Sequence, residues 1–300
     1  MSNSIKIASV VVTFNRLELL KECISSLREQ TRKIDEIFII NNSSSDGTEE
    51  WLSKQKDLTT ITQQNSGGAG GFYTGIKTAY EKGYDWIWVM DDDGLPKNNA
   101  LEELTKYIDG KVGVLNSIVL SKSNEKELAF GIEDSEEKKH YILFDQIIDK
   151  TTINGVNFFN GSLFSRATIS KIGFPNPKFY IWGDETEYFL RLKAAGISFK
   201  SVVASLYIHP NQNHRYLGKG LFFYRIIQFN SLGVKYFPRN LMAICYLYKE
   251  FTFRRLVKTF FYDILGLLFI QKNILFAFLY IKSIFDGILF IKQLNKIKIN

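Results

Sequence analysis

Cysteine is nearly missing from this 300-residue chain: Cys23 and Cys245 are the only two. They lie far apart, make no disulfide framework and lack the spacing of a thiolate metal site, so a reducing cytoplasm is the expected compartment. Histidine is as scarce, with His140, His209 and His214 alone. The longest charge-free stretch near the end is Asn273 to Ile281, nine residues. A spanning helix needs roughly 20 apolar residues, so no transmembrane segment is expected. The start, Met1-Ser-Asn-Ser-Ile-Lys, runs directly into a strand-like segment, and no secretory leader is expected either. A Walker lysine–serine pair is absent. So is a glycine-rich basic loop after the first strand, which a nucleotidyltransferase would want; TFNRLE stands there instead.

What is present is core-forming material: 45% hydrophobic residues against 23% charged ones, a balance that excludes disorder. Aromatics reach 15%, with 25 Phe and 15 Tyr, more than a core alone demands. Charge is unevenly spread. From residue 211 onward 14 Lys and Arg face three acids, Glu250, Asp263 and Asp286, in a chain of net charge +7. The tail is thus +11 and the first 210 residues −4, which suggests two regions with two jobs.

Residues 5–14 (IKIASVVVTF) form a continuous β-branched run that fits a strand buried on both faces. Asn15 to Gln30 reads as a helix with Leu17, Leu20, Ile24 and Leu27 on one stripe. A second buried strand at 35–40 ends at the turn NNSSSDGT, and a helix begins near Thr48. Ile61-Thr62 reads as a short strand, the glycines at 67–71 as a loop, Phe72 to Lys82 as a helix and 84–90 as a strand stopping at three aspartates. Strand and helix alternating on short connections predict a parallel α/β sheet with helices on both faces. Residues 121–150 read as a surface excursion with an edge hairpin, 153–165 as strand, Glu185 to Ala195 as helix and 197–209 as strand. The domains expected are 1–215, an α/β region, and 216–300, a helical extension. In the tail Phe, Leu, Ile and Tyr recur with a basic residue every few positions. That texture fits amphipathic helices lying in a membrane interface; a subunit interface or plain core packing are the competing uses.

Three constellations carry chemistry. Asp91-Asp92-Asp93 ends an apolar strand. Three adjacent carboxylates repel one another, and a hard divalent cation, Mg²⁺ or Mn²⁺, removes the repulsion. Strand carboxyl ends are where open α/β sheets bind ligands, and a cation there can take up charge developing on a diphosphate leaving group; a solvated acidic loop is the bland alternative. Asn65-Ser66-Gly67-Gly68-Ala69-Gly70-Gly71-Phe72 packs four glycines before a helix, which permits close backbone approach and favours an anion, or else makes a purely structural turn. It is no dinucleotide fingerprint, because G-x-G-x-x-G from Gly68 would need glycine at Tyr73. Trp182-Gly183-Asp184-Glu185-Thr186-Glu187-Tyr188 opens a helix with acids. They either answer the helix dipole or supply a general base for an attacking sugar hydroxyl. His209 closes a strand-like run and gains weight as a ligand only if the fold brings it near Asp93.

Taken together and in order, VVVTFNR (10–16), NNSSSDGT (41–48), NSGGAGGF (65–72), DDDG (91–94), NGSLFSR (160–166), WGDETEYFLRLKAAG (182–196) and IHP (208–210) resemble the family 2 inverting glycosyltransferases of the GT-A fold. The resemblance covers about residues 5–210, and the galactofuranosyl- and rhamnosyltransferase branch is the nearer likeness, galactofuranosyl members most of all. It implies a Rossmann-like mixed sheet of GT-A type with a C-terminal helical amphipathic extension. It also implies a base pocket of Thr13, Phe14, Asn15 and Arg16, with Asn42 where an aspartate often contacts base or ribose. That departure leaves uridine versus thymidine open. Gly67, Gly68, Gly70 and Gly71 would pass beside donor sugar and diphosphate, together with Asp91 and Asp92. Asp91 and Asp93 would hold Mn²⁺ or Mg²⁺ with His209 as third ligand. Glu185 would be the base, with Asp184 its rival, in one inverting displacement. The donor would be a UDP- or dTDP-sugar, UDP-galactofuranose before dTDP-rhamnose, and the acceptor a lipid-linked or polysaccharide glycan at the inner face of the cell membrane. No nucleic-acid partner is expected; a homo-oligomer is the other use of the tail. A non-catalytic scaffold keeping this fold is disfavoured by the intact acids at 91–93 and 184–187.

Overall fold

The computed structural model describes residues 5–210, 214–217, 224–227, 229–248 and 253–295. The chain forms two compact units, one of Met1–Lys178 with Arg191–Gln212, the other of Phe179–Leu190 with Asn213–Asn300.

The first unit begins with β1 (Ile7–Thr13), α1 (Leu17–Arg28), β2 (Glu36–Asn41), α2 (Thr48–Ser53), β3 (Leu58–Thr62), α3 (Gly67–Glu81) and β4 (Trp86–Asp91). Next come β5 (Leu95–Pro96), α4 (Ala100–Thr105), β6 (Val112–Ser121), β7 (Glu127–Asp134), β8 (Lys139–Leu143), β9 (Thr152–Ile153), β10 (Asn160–Ser165) and α5 (Arg166–Ile172). After α6 (Asp184–Ala194), β11 (Ser198–His209) closes the unit. The sheet order is β3-β2-β1-β4-β10-β6-β11-β5. β3, β2, β1 and β4 run parallel, as the strand–helix alternation requires. β10 then enters antiparallel between β4 and β6, and β6 pairs parallel with β11. The sheet is therefore mixed, not all parallel.

The reversal of β10 sets the site. β6 and β11 point the same way as β4, so β1, β2, β4 and β11 all end on one edge. β1 is buried at every position, matching its uniformly apolar run, and Leu20, Ile24 and Leu27 of α1 pack beneath the sheet with Trp88 and Met90. The excursion at 121–150 does hold a hairpin, β7–β8. Leu128, Ile132 and Tyr141 give it a small core of its own with Ile118, Leu120, Ile153 and Ile208.

The glycine run differs from the loop expected for it. Gly67 to Gly71 are the opening turn of α3. Packing explains this: a Cβ on Gly71 would stand 2.4 Å from Val12 Cγ1, and one on Gly75 2.2 Å from Val10 Cγ1. Glycine lets the helix lie directly against β1, closer than any side chain allows.

The second unit contains residues 179–190, then β12 (His214–Leu217) and β13 (Tyr224–Ile227), an antiparallel pair. Three helices follow, α7 (Ser231–Tyr248), α8 (Phe253–Leu265) and α9 (Ile274–Asn295). Phe229, Val234, Leu256, Phe260, Leu267, Ala277 and Tyr280 make its core. α9 is apolar on both sides. Ala277, Tyr280, Ser283, Phe290 and Leu294 are buried, whereas Ile274, Leu275, Phe278, Phe285 and Leu289 are exposed. Ile274–Leu294, 21 residues, is long and apolar enough to cross a membrane by length and composition, contrary to the expectation from charge-free runs. Lys282 and Asp286 interrupt the run in sequence, but one turn apart on the helix they pair at 3.4 Å.

Candidate functional site

The shared carboxyl edge of β1, β2, β4 and β11 gathers most of the residues singled out from sequence. Asp91 ends β4, and the short β5 that follows pairs antiparallel with β11, Leu95 opposite Ile208. That pairing carries Asp93 to His209, whose Nε2 lies 3.1 Å from Asp93 Oδ1. Arg16, just past β1, places Nη1 3.2 Å from Asp92 Oδ1 and 2.8 Å from Asp93 Oδ2. Thr13 Oγ1 donates to Asp92 Oδ2 at 2.7 Å. Thr13 and Arg16 are thus turned onto the acids, while Phe14, 44% exposed, stands free of them. Asp92 is the buried hub of this arrangement, a role that the pattern DDD alone does not single out.

The electrostatics follow from the crowding. Burial, then Asp93 and Asp92, push the Asp91 carboxyl up to about 8. Burial lifts Asp92 to about 6 against the opposing pull of Arg16 and Thr13. Burial also raises Asp93, but the His209 pair and Arg16 outweigh it and hold that carboxyl below its usual value. His209 is raised in turn: burial opposes its charge, and the Asp93 pair overcomes it.

Asn15 and Asn42 fasten the neighbouring loops. Asn15 sits at φ 53, takes the Ser45 amide on Oδ1 at 2.7 Å and gives its own amide to Ser44 Oγ at 2.9 Å. Asn42, buried, donates Nδ2 to the Gly67 carbonyl at 3.1 Å and accepts Gln63 Nε2 at 2.8 Å. Asn65 Oδ1 caps the Gly67 amide at 2.9 Å. The helix start at Gly67 and Gly68 therefore lies on the same edge as Asn42.

The donors on this edge meet only part of what a cation site requires. Among the described residues, no three His, Cys, Asp or Glu side chains converge on one point. Asp93 and His209 do meet, and Asp91 stands near enough to feel the charge of both. Buried oxygens without a hydrogen bond include Asn160 Oδ1 and Tyr207 Oη. Asn160 stands opposite Met90 at the end of β4, and Gly94 leaves room for the Tyr207 hydroxyl, which would lie 1.6 Å from a Cβ there. Unsatisfied buried oxygens beside a raised carboxyl suit a hard cation. Asn160 and Tyr207 were missed in sequence; NGS and LYIHP mark them only once the register is known.

Residues 179–190 are built separately in the second unit. Asp184 is buried and Glu185 partly exposed. Glu185 Oε2 accepts the Gly183 amide at 3.2 Å, and Tyr248 donates to Glu187 Oε1 at 2.6 Å. Of the two candidate bases, Glu185 is the one open to a ligand.

A mixed sheet with an acid triplet and a histidine on the carboxyl edge of its parallel half is the architecture of the GT-A fold. The chain belongs to glycosyl transferase family 2, whose profile matches residues 9–173. It is similar to galactofuranosyltransferase GlfT1 of Mycolicibacterium smegmatis, 28% identical over 220 residues, 70% of this chain and 72% of that protein. In fold it resembles GalNAc-T7, solved with UDP, GalNAc and Mn²⁺, at a TM-score of 0.57 and 14% identity over 89% of this chain. The chain spans about half of that one, 51%. It also resembles Staphylococcus aureus TarS 1–349 in complex with UDP, TM-score 0.53, 11% identity, over 88% of this chain and 72% of the other. It is a glycosyltransferase, moving sugar from an activated donor to an acceptor.

Proposed function

We propose that the enzyme is a cation-dependent inverting galactofuranosyltransferase. Its donor is UDP-galactofuranose and its acceptor a lipid-linked glycan at a membrane surface. The observation that carries this reading is the Asp91-Asp92-Asp93 and His209 cluster on the carboxyl edge, beside the amide-rich start of α3. Likeness to the mycobacterial GlfT1 enzyme supports the donor sugar.

Asp91, Asp93 and His209 hold the cation, Mn²⁺ or Mg²⁺, which supplies positive charge to the diphosphate leaving group. Asp92 fixes the floor through Thr13. Arg16, half-exposed, presents a second cationic group to the phosphates. Phe14 and Asn15 take the base, and the start of α3 at Gly67–Gly68 lies beside the anionic donor. Glu185 accepts the proton of the attacking hydroxyl, and a single displacement inverts the anomeric centre. The exposed apolar face of α9, with Val257 and Phe261 of α8 and the exposed Arg254, Arg255, Lys258 and Lys272, rests on the inner, anionic face of the cell membrane.

The test is a thermal-shift panel of UDP- and dTDP-sugars with Mn²⁺. At about 100 times Kd a donor adds roughly 2.7 kcal/mol to the folded state. UDP-galactofuranose is expected to raise Tm most; a rise with dTDP-rhamnose alone would overturn the donor assignment.

A further inference from the structure

The loop leading into Glu185 adopts a conformation that its own residues disfavour. Tyr180 has φ 67, Trp182 φ 66 and Gly183 φ 99. Two aromatic residues in the left-handed region within three positions do not hold themselves there. Side chains of α7 meet this segment: Tyr236 stacks on the Tyr180 ring at 4.6 Å, and one polar side chain reaches three of its carbonyls. Asn240, fully buried, sets its Nδ2, with two hydrogens shared among three acceptors, 2.9 Å from the Phe179 carbonyl, 2.9 Å from that of Ile181 and 2.7 Å from that of Trp182. Its Oδ1 accepts from Arg239 Nε at 2.9 Å and Nη2 at 2.7 Å, and Arg239 Nη2 reaches the Phe179 carbonyl as well, at 3.0 Å. The amide has one workable orientation, since reversing it would set its oxygen against three carbonyls and its NH₂ against a guanidinium. The guanidinium is itself clamped between the Tyr236 and Phe290 rings, 4.7 and 4.2 Å from their centroids.

The hold reaches the acid. Gly183 passes directly over α7, where an added Cβ would lie 3.1 Å from Ile244 Cδ1 and 3.6 Å from Asn240 Cβ. Its carbonyl takes the Glu187 amide at 2.8 Å and its own amide binds Glu185 Oε2. Trp182 packs its ring on Phe229 and Phe237.

We propose that Asn240 is a positioning residue for Glu185: it pins the strained 179–183 turn and so fixes where the base carboxylate stands. This rests on the assignment of Glu185 as base. It also makes α7 part of the catalytic apparatus, a role distinct from membrane attachment.

The test compares full-length wild type, N240A and R239K with UDP-galactofuranose, Mn²⁺ and a glycan acceptor, alongside UDP affinity by calorimetry and hydrogen exchange of residues 179–187. Misplacement of a reacting group by about 1 Å costs around 100-fold in rate. N240A is expected to lower kcat by about that factor with UDP Kd within twofold. Exchange across 179–187 should accelerate at least about tenfold while the β1 and β4 amides stay protected. R239K, which keeps the charge but loses the fork, is expected to show a smaller loss of the same kind, and decides the matter if N240A does not fold. Unchanged kcat, unchanged exchange at 179–187, or a parallel loss of UDP affinity would overturn the proposal. If E185Q keeps its turnover, the base assignment fails instead; if wild type ignores UDP-galactofuranose, the donor assignment fails and hydrogen exchange still judges the pin.

Discussion

Replacing Gly75 by alanine sets two physical effects against each other with opposite signs. Alanine is favoured over glycine in a helix interior by roughly 1 kcal/mol, so propensity alone predicts a gain. The new Cβ, however, would stand 2.2 Å from Val10 Cγ1 and 3.1 Å from Ile40 Cγ1, against about 3.5–4.0 Å for an ordinary carbon contact. Val10 and Ile40 are both fully buried. Val10 lies on β1, which is paired on both sides, and a β-branched side chain has no easy second rotamer. Relief therefore requires α3 to lift off the sheet. Overpacking of this kind costs about 1–3 kcal/mol, and a shortfall above 1 Å falls in the upper half. The net is a loss of about 1–2 kcal/mol, read as a fall in Tm of about 2–8 °C for a unit of this size. Gly71→Ala, 2.4 Å from Val12 Cγ1, should behave alike, and adding Val12→Ala should recover part of that loss through a favourable coupling. A rise in Tm for G75A would refute the claim that these glycines serve close packing.

Other outcomes are fixed by the same structure. With its folded carboxyl at about 8 against 3.8 unfolded, Asp91 costs stability increasingly as pH climbs from about 4 to 8, because only the folded chain still binds that proton. Mn²⁺ must displace the proton, so its affinity should rise by up to about tenfold per pH unit between 6 and 8; a flat titration would remove Asp91 from the ligand set. Asp263, pushed up to about 7 by burial, accepts a hydrogen bond from Tyr280. D263N should stabilise the protein at pH 8 by on the order of 4 kcal/mol and have little effect at pH 4, measured by denaturant midpoint. F278E with F285E, at positions 66% and 64% exposed, should abolish binding to anionic vesicles while leaving turnover of a soluble acceptor intact. A change in oligomeric state alone would make the α9 face a subunit interface.

Much of the first unit was readable because its signals are local. Unbroken β-branched runs gave β1 and β2, a stripe of leucines gave α1, and the acids at 91–93 marked the end of β4. His209 could be weighed only against distance, and β5, two residues long, decides that distance without any pattern of its own. The glycines misled because one residue type serves two needs. Flexibility beside a ligand and contact with a sheet look identical in sequence, and only Val10 and Val12 tell them apart. In the tail, where helices were expected, counting charges hid the apolar length of α9, since a Lys–Asp pair one turn apart reads as an interruption on paper and as a neutral step on a helix. Asn240 carried no signal at all: a lone asparagine in an apolar helix acquires its role from three carbonyls some sixty residues away.

The claim on which the rest depends is that the acids beyond β4 grip a cation that in turn holds the donor diphosphate. Calorimetric titration of UDP into the wild type and into D93A, each with and without Mn²⁺, addresses it directly. The wild type should bind UDP at least about tenfold more tightly with Mn²⁺ present, and D93A should lose that increment while retaining the weak metal-free affinity. Equal UDP affinity with and without the cation, or an undiminished Mn²⁺ effect in D93A, would contradict it.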